Sequence, residues 1–205
     1  MIPRELSLIA TIGAASILAG AARAQTAQVT MVHSDPNGIV MPGDTVTLRA
    51  VVSWQGAWQF AGLKGSAKAT RSLGTSAAVN SALGPASPIV VFGTPFHGNV
   101  IGHDIAVVPG YFTTTPPLAS LQSAGMDYLR YDWTAPTVGV PIRVDFVFLA
   151  EPIAPNVRLY PHTFTTAFVE AQTTYIGTSI LVLPAPGVGC VVIAGFGLLA
   201  ARRRR

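Results

Sequence analysis

The sequence predicts an all-β protein built around one antiparallel β-sandwich of the immunoglobulin-like or jelly-roll-like kind. Three observations predict this class. Apolar and polar residues alternate over several short segments between residues 25 and 182, turns rich in Gly and Pro separate those segments, and no long stretch carries a helical apolar stripe. Many short strands joined by such turns are typical of a sandwich.

Two segments show the alternation most clearly. Thr45–Val52 places apolar residues on one face and Thr or Arg on the other, and Ile142–Phe148 does the same with Arg143 and Asp145 opposite its apolar face. The further predicted strands are Val29–His33, Pro88–Phe92, Ile105–Val108, Tyr128–Trp133, Val157–Tyr160, Thr163–Ala171 and Tyr175–Val182. The predicted turns are Asp35–Gly38, Pro42–Asp44, Pro109–Gly110 and Pro116–Pro117.

One internal segment lacks this pattern. Ala61–Ser87 is rich in Gly, Ala, Ser and Thr, and its cations Lys64, Lys68 and Arg71 recur at a helical spacing. We expect a solvated loop or a short surface helix there. The alternative is a basic contact for an anionic polysaccharide or lipid, but three cations without interleaved aromatics do not make a nucleic-acid footprint.

The N-terminus has the order of a secretory signal peptide. Arg4 precedes the uncharged run Ser7–Ala22, which ends in the small-residue motif Ala22-Arg23-Ala24. The sequence therefore predicts a signal peptide over residues 1–24, cleaved by signal peptidase so that Gln25 becomes the first mature residue. A core helix that happens to begin the chain is the alternative.

The C-terminus has the order of a membrane anchor. Pro184-Ala185-Pro186 precedes an uncharged apolar segment, Gly187–Ala201, which is followed by Arg202, Arg203, Arg204 and Arg205. As a helix, that segment spans about 22 Å at about 1.5 Å per residue, which is short of the roughly 30 Å hydrocarbon core. The arginine tail compensates, because it supplies a cytoplasmic stop and long side chains that reach the interface. We expect a transmembrane helix at 187–201.

Residues 183–205 together resemble the PEP-CTERM sorting signal of exported bacterial proteins, in a Pro-Ala-Pro variant associated with planctomycete-type bacteria. Pro184, Ala185, Pro186 and Gly187 stand where the family has its sorting motif, and Ala185 replaces the usual acidic residue. The resemblance implies export, anchoring in the inner membrane in transit, and processing by an exosortase-like sorting enzyme. It also implies a final place at the cell surface or in the extracellular matrix.

No motif for catalysis or metal binding stands out in the middle of the chain. His97 and His103, with Asp104 beside the latter, have a spacing that fits no common zinc motif, and we expect them on a solvent-facing loop. His33 and His162 stand alone, and Cys190 lies in the apolar C-terminal segment, where a thiol acts as a small hydrophobe. The segment starting at Asp35 resembles a calcium loop only in its first residues, and a turn explains it better. We predict no cofactor and no metal site.

The aromatic residues are the remaining candidates for binding. Trp54 and Trp58 follow one predicted strand, and Tyr131 and Trp133 lie in another. Exposed on one face, these four rings would stack on sugars; buried, they are core residues. We therefore expect a non-catalytic, exported structural or adhesive protein. A carbohydrate-binding module of the envelope or matrix, with polysaccharide as its partner, is the alternative, and a secreted hydrolase is a weaker third.

The composition excludes several other classes. Half of the residues are hydrophobic, which excludes a disordered chain, and the single Cys excludes an intrachain disulfide. The chain carries 13 cations and nine acids, but six of the cations and one acid lie in the two end segments. Residues 25–182 thus carry seven cations and eight acids, so nucleic acid is not expected as a partner.

Overall fold

The computed structural model describes residues 25–56, 58–82, 90–107, 125–161 and 167–185. These residues form thirteen β-strands and one short 3-10 turn at Thr70–Ser72, and no α-helix. The strands are β1 (Thr26–His33), β2 (Ile39–Val40), β3 (Thr45–Trp54), β4 (Gln59–Ala69), β5 (Thr75–Asn80), β6 (Val90–Val91), β7 (Thr94–Phe96), β8 (Asn99–Ala106), β9 (Met126–Thr134), β10 (Ile142–Ala150), β11 (Val157–Tyr160), β12 (Val169–Ile176) and β13 (Thr178–Val182).

The strands form an all-β sandwich, as the sequence predicts. Sheet A has the order β5-β9-β3-β1-β12. Sheet B has the order β2-β13-β10-β4-β8, and the short strands β6 and β7 pair with the outer edge of β8. Strand β11 pairs with the first part of β4 and with β12, so one side of the sandwich is continuous from sheet B to sheet A.

The pairing is antiparallel except at two places. Strand β1 pairs in parallel with β12, and β13 pairs in parallel with β2. Both exceptions join a strand from the start of the described chain to one from its end. The sequence predicts a purely antiparallel sandwich, because local alternation reports which face a residue occupies and not which strand lies beside it.

The core lies between the two sheets, and the predicted apolar faces point into it. Val46, Leu48, Ala50 and Val52 of β3 are all buried, and so are Val144, Phe146 and Phe148 of β10. The predicted turns at Asp35–Gly38 and Pro42–Asp44 are also present. The Asp35 carboxylate accepts hydrogen bonds from the backbone N–H groups of Asn37 and Gly38, at 2.8 and 2.6 Å. The Asp44 carboxylate accepts one from the N–H of Met41 at 2.8 Å.

The expectation of a loop or surface helix over Ala61–Ser87 is wrong for most of its described part, residues 61–82. The first part of this segment belongs to β4, a central strand of sheet B, and Thr75–Asn80 forms β5 at the edge of sheet A. The inward positions of β4 include Gly65 and Ala67. The Phe148 ring on the neighbouring β10 leaves no room for a larger residue at Gly65, because a Cβ atom there would lie 2.6 Å from that ring. Small inward residues weaken the alternation of hydrophobicity by which strands are recognised.

The boundaries of other predicted strands shift. Strand β8 begins six residues before the predicted Ile105, and a break at Gly177 divides the predicted Tyr175–Val182 between β12 and β13. Only Val90–Val91 of Pro88–Phe92 is a strand among the described residues. Of Thr163–Ala171, residues 163–166 lie outside them, and the last three residues belong to β12. The predicted turns at Pro109–Gly110 and Pro116–Pro117 also lie outside.

Most of the two predicted end segments lies outside the described residues. This applies to the signal peptide with Ala22 and Ala24, to Pro186 and Gly187, to the predicted helix 187–201 with Cys190, and to the tail Arg202–Arg205. Within the part of the chain that is described, no helix has the length and apolarity to cross a membrane.

Candidate functional site

The outer face of sheet A is polar, and its side chains bind one another. Arg49 of β3 pairs with Asp127 of β9, with 3.2 Å between the guanidinium Nη1 and the carboxylate Oδ1. The Thr47 hydroxyl donates a hydrogen bond of 2.9 Å to Asp132 on the same two strands. None of the strands β1, β3, β5 and β9 exposes a large hydrophobic side chain. The centre of this face is therefore polar, with Arg130 of β9 also exposed, and the exposed large hydrophobic residues of sheet A are on its outer strand β12, at Val169 and Ile176.

The outer face of sheet B has a different composition. Five large hydrophobic side chains on its strands are well exposed: Ile39 of β2, Val91 of β6, Phe96 of β7, and Val147 and Leu149 of β10. Val147 lies opposite Lys68 of β4 in the strand register, and Leu149 lies opposite Ser66. We call these four residues (Val147, Leu149, Lys68 and Ser66) the β4–β10 patch. It combines apolar surface with a cation in the middle of a sheet.

A charged cluster adjoins this patch. The Lys64 ammonium lies 3.1 Å from the Glu151 carboxylate, and the Arg158 Nε lies 3.7 Å from Glu170. Asp104 of β8 lies opposite Lys64 in the register. Burial raises the pKa of the Asp104 carboxyl above its usual range, and the negative charge of Glu151 adds to this, whereas Lys64 and Arg158 act in the opposite direction.

A small cavity of about 160 Å³ opens at this cluster, where β4 passes between β8 and β11. Its charged lining residues are Lys64, Asp104 and Arg158, and its apolar ones include Ile153 together with Leu63 and Ile105, whose side chains are buried in the core. Ile153 is 84% exposed at the cavity, so it is open to contact by another molecule.

A larger and more open depression lies at the other end of the sheet, at β2 and β13. It has a volume of about 470 Å³, and its lining includes His33, Asn37, Arg143 and Ser179. The Arg143 Nε pairs with Asp145 at 2.7 Å, and both side chains are well exposed. The charge of this guanidinium is thus already balanced by a neighbouring carboxylate.

The four aromatic residues singled out for a sugar contact do not share an exposed face. Tyr131 and Trp133 are completely buried, Trp54 is 5% exposed, and Trp58 is half-buried. The Trp133 ring packs edge-on against Phe146, and its indole N–H donates a hydrogen bond of 2.9 Å to the Leu73 carbonyl. The Trp54 indole N–H binds the Trp58 carbonyl, also at 2.9 Å. Trp54, Tyr131 and Trp133 are core residues because the alternation of their strands turns them inward, whereas Trp58 precedes β4 and packs partly buried against the core.

The sequence predicts His103 on a solvent-facing loop, and this prediction is wrong. The burial of His103 also differs from that of His97. His103 is a fully buried residue of β8. Its Nδ1 accepts a hydrogen bond from the Gly93 backbone N–H at 3.2 Å, and its Nε2 lies 3.0 Å from the Tyr128 carbonyl, to which it donates. Burial lowers its pKa to about 4, although the bond to Tyr128 acts in the opposite direction. His97 is exposed in the turn before β8.

The described residues contain no group of three His, Cys, Asp or Glu side chains placed to hold a metal ion. His33 lines the larger depression, and His162 lies outside the described residues. Both nitrogens of the buried His103 are engaged by backbone groups, so this ring has no free nitrogen for a metal.

The junctions with the predicted end segments lie next to strands. Gln25, the predicted first mature residue, precedes β1 and its carbonyl accepts a hydrogen bond of 2.7 Å from the N–H of Gln172. At the other end, Leu183 follows β13 and donates to the Val40 carbonyl at 2.9 Å. Pro184 and Ala185, the first half of the predicted sorting motif, come directly after it.

No protein-family model matches the chain, and no curated protein sequence matches it either. Solved structures do match. A type I cohesin–dockerin complex from Clostridium thermocellum contains a chain that is 7% identical; the match covers 77% of this chain and 99% of that one, with a TM-score of 0.50. The fold is similar to that of cohesin domains. A type I cohesin from Pseudobacteroides cellulosolvens is 10% identical, covering 78% of this chain and 94% of its own, with a TM-score of 0.49.

Sequence reasoning missed the β4–β10 patch and the charged cluster for different reasons. Val147 and Leu149 continue the same face of β10 as Arg143 and Asp145, so two apolar residues on a polar face were a visible signal. Asp104 and Lys64 belong to strands far apart in sequence, and only the pairing of β4 with β8 brings them together.

Proposed function

We propose that the chain is an exported, non-enzymatic protein with a structural or adhesive role, and that its sandwich binds another protein through the outer face of sheet B. One observation carries the proposal. Large hydrophobic side chains are exposed in the middle of sheet B, at the β4–β10 patch, and around it, whereas β1, β3, β5 and β9 of sheet A expose none and its outer strand β12 exposes Val169 and Ile176. Exposed apolar surface concentrated on one face is typical of protein-binding surfaces.

The energetics favour a protein partner for this face. Val147 is 39% exposed and Leu149 is 53% exposed. Complete burial of a Val or Leu side chain contributes about 1.5–3 kcal/mol, so covering what remains exposed of the two side chains stabilises a complex by about 1–3 kcal/mol. The neighbouring cation Lys68 gives such a contact charge specificity. No exposed aromatic ring lies at the centre of the patch for a sugar to stack on.

The similarity to cohesin structures supports the same proposal. One matching chain comes from a structure described as a cohesin–dockerin complex, in which the fold serves protein recognition. At 7% identity the likeness concerns the fold alone, and so we propose protein binding in general, with no particular partner.

The ends of the chain support export and surface sorting. A signal peptide over 1–24 would deliver the protein across the membrane, and the PEP-CTERM-like segment 183–205 would be read by an exosortase-like enzyme near Pro184–Gly187. Because β13 ends at Val182, the predicted apolar helix begins only a few residues beyond the sandwich. Fully extended, four residues span at most about 14 Å, so the anchor would hold the sandwich close to the membrane until processing.

Mass spectrometry of the protein from the producing bacterium tests the export and sorting part. We expect a surface form that begins at Gln25 and lacks Arg202–Arg205. A released surface protein with its arginine tail intact would contradict the sorting proposal, and a protein that retains residues 1–24 in the cytoplasm would contradict export.

A pair of matched variants tests the binding part. In a strain that lacks the native gene, Val147→Ser/Leu149→Ser removes apolar surface from sheet B, and Val32→Ser/Val51→Ser makes the same change on the outer face of sheet A. We expect the first variant to lower the amount of protein retained in the surface fraction, and the adhesion of the cells, at least tenfold. The second variant should stay within twofold of the original. Equal behaviour of the two variants would contradict the proposed binding face.

A further inference from the structure

The cavity between β4, β8 and β11 contains an uncompensated carboxylate. Five charged side chains lie around it, and four of them form two ion pairs: Lys64 with Glu151, and Arg158 with Glu170. Asp104 is the fifth. Among the described residues its carboxylate forms no ion pair and no side-chain hydrogen bond, although Lys64 and Arg158 act on it through space. The local charge is therefore one negative unit in excess, at the lining of a cavity.

One apolar side chain at this cavity is open to an alkyl chain. Ile153 stands 84% exposed beside it, whereas the side chains of the lining residues Leu63 and Ile105 are buried in the core. The cavity volume is about 160 Å³. Since a water-sized group occupies about 30 Å³ of liquid, this volume holds about five non-hydrogen atoms. A lysine side chain beyond its Cβ, with three methylene groups and an ammonium, has four.

We infer that the cavity receives a lysine side chain presented by the partner protein, with its alkyl stem against Ile153 and its ammonium at Asp104. This inference rests on the proposed function, because it names the chemistry of the partner at the sheet-B face. A lysine suits the site because its stem covers apolar surface while its charge stays near the cavity mouth. The free Asp104 carboxylate gains a partner, and neither existing ion pair has to break.

The location of the cavity agrees with the rest of the face. Asp104 lies beside Lys64 in the pairing of β8 with β4, and beside the exposed Val91 in the pairing of β8 with β6. A protein that covers the β4–β10 patch therefore passes directly over the cavity. The rim charges of Lys64 and Arg158 oppose a small cation such as Na⁺ and a lysine ammonium alike, but the lysine stem gains contact with the exposed Ile153 that a small cation lacks.

Titration of the full-length chain, followed by amide NMR, tests the inference with a defined probe. The probe is Nα-acetyl-lysine N-methylamide, and the matched control is Nα-acetyl-norleucine N-methylamide, which has the alkyl stem without the charge. We expect saturable shifts in the millimolar range at residues 62–64, 104–106 and 153–154 with the lysine probe, and at least tenfold weaker binding of the norleucine probe. Equal binding of both probes would overturn the inference, and so would saturable binding of Ca²⁺ without binding of the lysine probe.

Two variants that each remove one negative charge complete the test. Asp104→Asn should weaken the lysine probe at least tenfold, whereas Asp145→Asn, which removes the same charge from β10 on the same sheet, should change its affinity less than twofold. An unchanged affinity in Asp104→Asn would overturn the inference. The proposed function fails separately: if the lysine probe binds but Val147→Ser/Leu149→Ser leaves surface retention intact, the binding face is wrong. If retention falls and the probe does not bind, only the lysine site is wrong.

Discussion

The outer faces of the two sheets differ in composition, although in both sheets the side chains alternate between the core and the solvent. On sheet A, Arg49 pairs with Asp127, and Thr47 donates a hydrogen bond to Asp132. Both contacts join β3 to β9. On sheet B, Val147 and Leu149 stand exposed beside Lys68, and Asp104 lacks a partner among the described residues. Polar groups that are paired in this way leave the centre of sheet A with little to gain from a partner. On a face with exposed apolar groups and an unpaired charge, contact with a partner lowers the free energy.

Sheet B also differs from sheet A beneath its surface, because the buried histidine lies on its side of the sandwich. His103 holds the backbone of Gly93, which precedes β7, against β8 through its unprotonated Nδ1. Protonation of this nitrogen removes the acceptor. Acid should therefore loosen the outer edge of sheet B before it affects sheet A.

The largest effect that we expect is the pH dependence of this contact. Burial lowers the pKa of His103 to about 4 from its usual 6.5, so its contribution to stability is complete above pH 6.5 and is lost as the pH falls toward 4. At about 1.36 kcal/mol per pKa unit, the loss is about 3 kcal/mol. Urea unfolding between pH 7 and pH 4 measures it, with His103→Gln as the variant that cannot titrate.

The difference between the original chain and His103→Gln isolates this histidine from the carboxylates, which titrate in both. His97→Gln serves as the control for an exposed histidine and should follow the original chain. A free energy of unfolding that falls equally in the original chain and in His103→Gln would contradict the role given to His103.

The second prediction concerns the tight packing beneath the β4–β10 patch. A Cβ atom at Gly65 would lie 2.5 Å from the Leu149 carbonyl oxygen and 2.6 Å from the Phe148 ring, so Gly65→Ala should force β4 and β10 apart. Overpacking of this kind costs about 2 kcal/mol. Gly139→Ala is the control, because a Cβ atom there meets nothing within 4 Å. Thermal unfolding of the two variants measures this cost. Equal transition temperatures would contradict the prediction, because they would mean that β4 and β10 can accommodate a Cβ atom at Gly65.

The third and smallest prediction compares two buried tyrosines of β9. The Tyr128 hydroxyl lies 2.8 Å from the Leu63 carbonyl and 2.9 Å from the His103 carbonyl, which joins sheet A to sheet B. The Tyr131 hydroxyl is buried without a hydrogen-bond partner in the described part of the chain. Tyr128→Phe should therefore cost about 1.5 kcal/mol, whereas Tyr131→Phe should be neutral or slightly stabilising. Denaturant unfolding of both variants checks the order, and a larger cost for Tyr131→Phe would reverse it.

The strands that sequence reasoning finds are those whose inward residues are large. Strands β3 and β10 are predicted to within two residues at each end because Leu48, Phe146 and similar side chains make the alternation plain. Strand β4 is missed because its inward positions include the small residues Gly65 and Ala67, and the Phe148 ring on the neighbouring β10 requires the first of them to be small. The alternation Lys64, Ser66, Lys68 on its outer face was the available signal.

The functional face was harder to predict than the fold. The aromatic residues attract attention in the sequence, yet Trp133 and Tyr131 are core residues, because large rings fill a sandwich interior better than smaller side chains. The residues of the sheet-B face belong to no motif that marks them in the sequence. Only the register of β4 with β8 and β10 brings Asp104, Lys64 and Leu149 onto one surface, and register depends on contacts between distant segments.

The distribution of lysines allows a direct test of the central claim that the outer face of sheet B is the covered face. Both lysines of the chain, Lys64 and Lys68, lie on β4, whereas Arg49 lies on the outer face of sheet A and is 44% exposed. Acetylation of lysines and phenylglyoxal modification of arginines can be compared, by mass spectrometry, between intact cells and the purified protein. We expect Lys64 and Lys68 to be labelled at least fivefold more slowly on cells, with Arg49 unchanged. Equal lysine labelling in both states, or protection of Arg49 alone, would contradict the account.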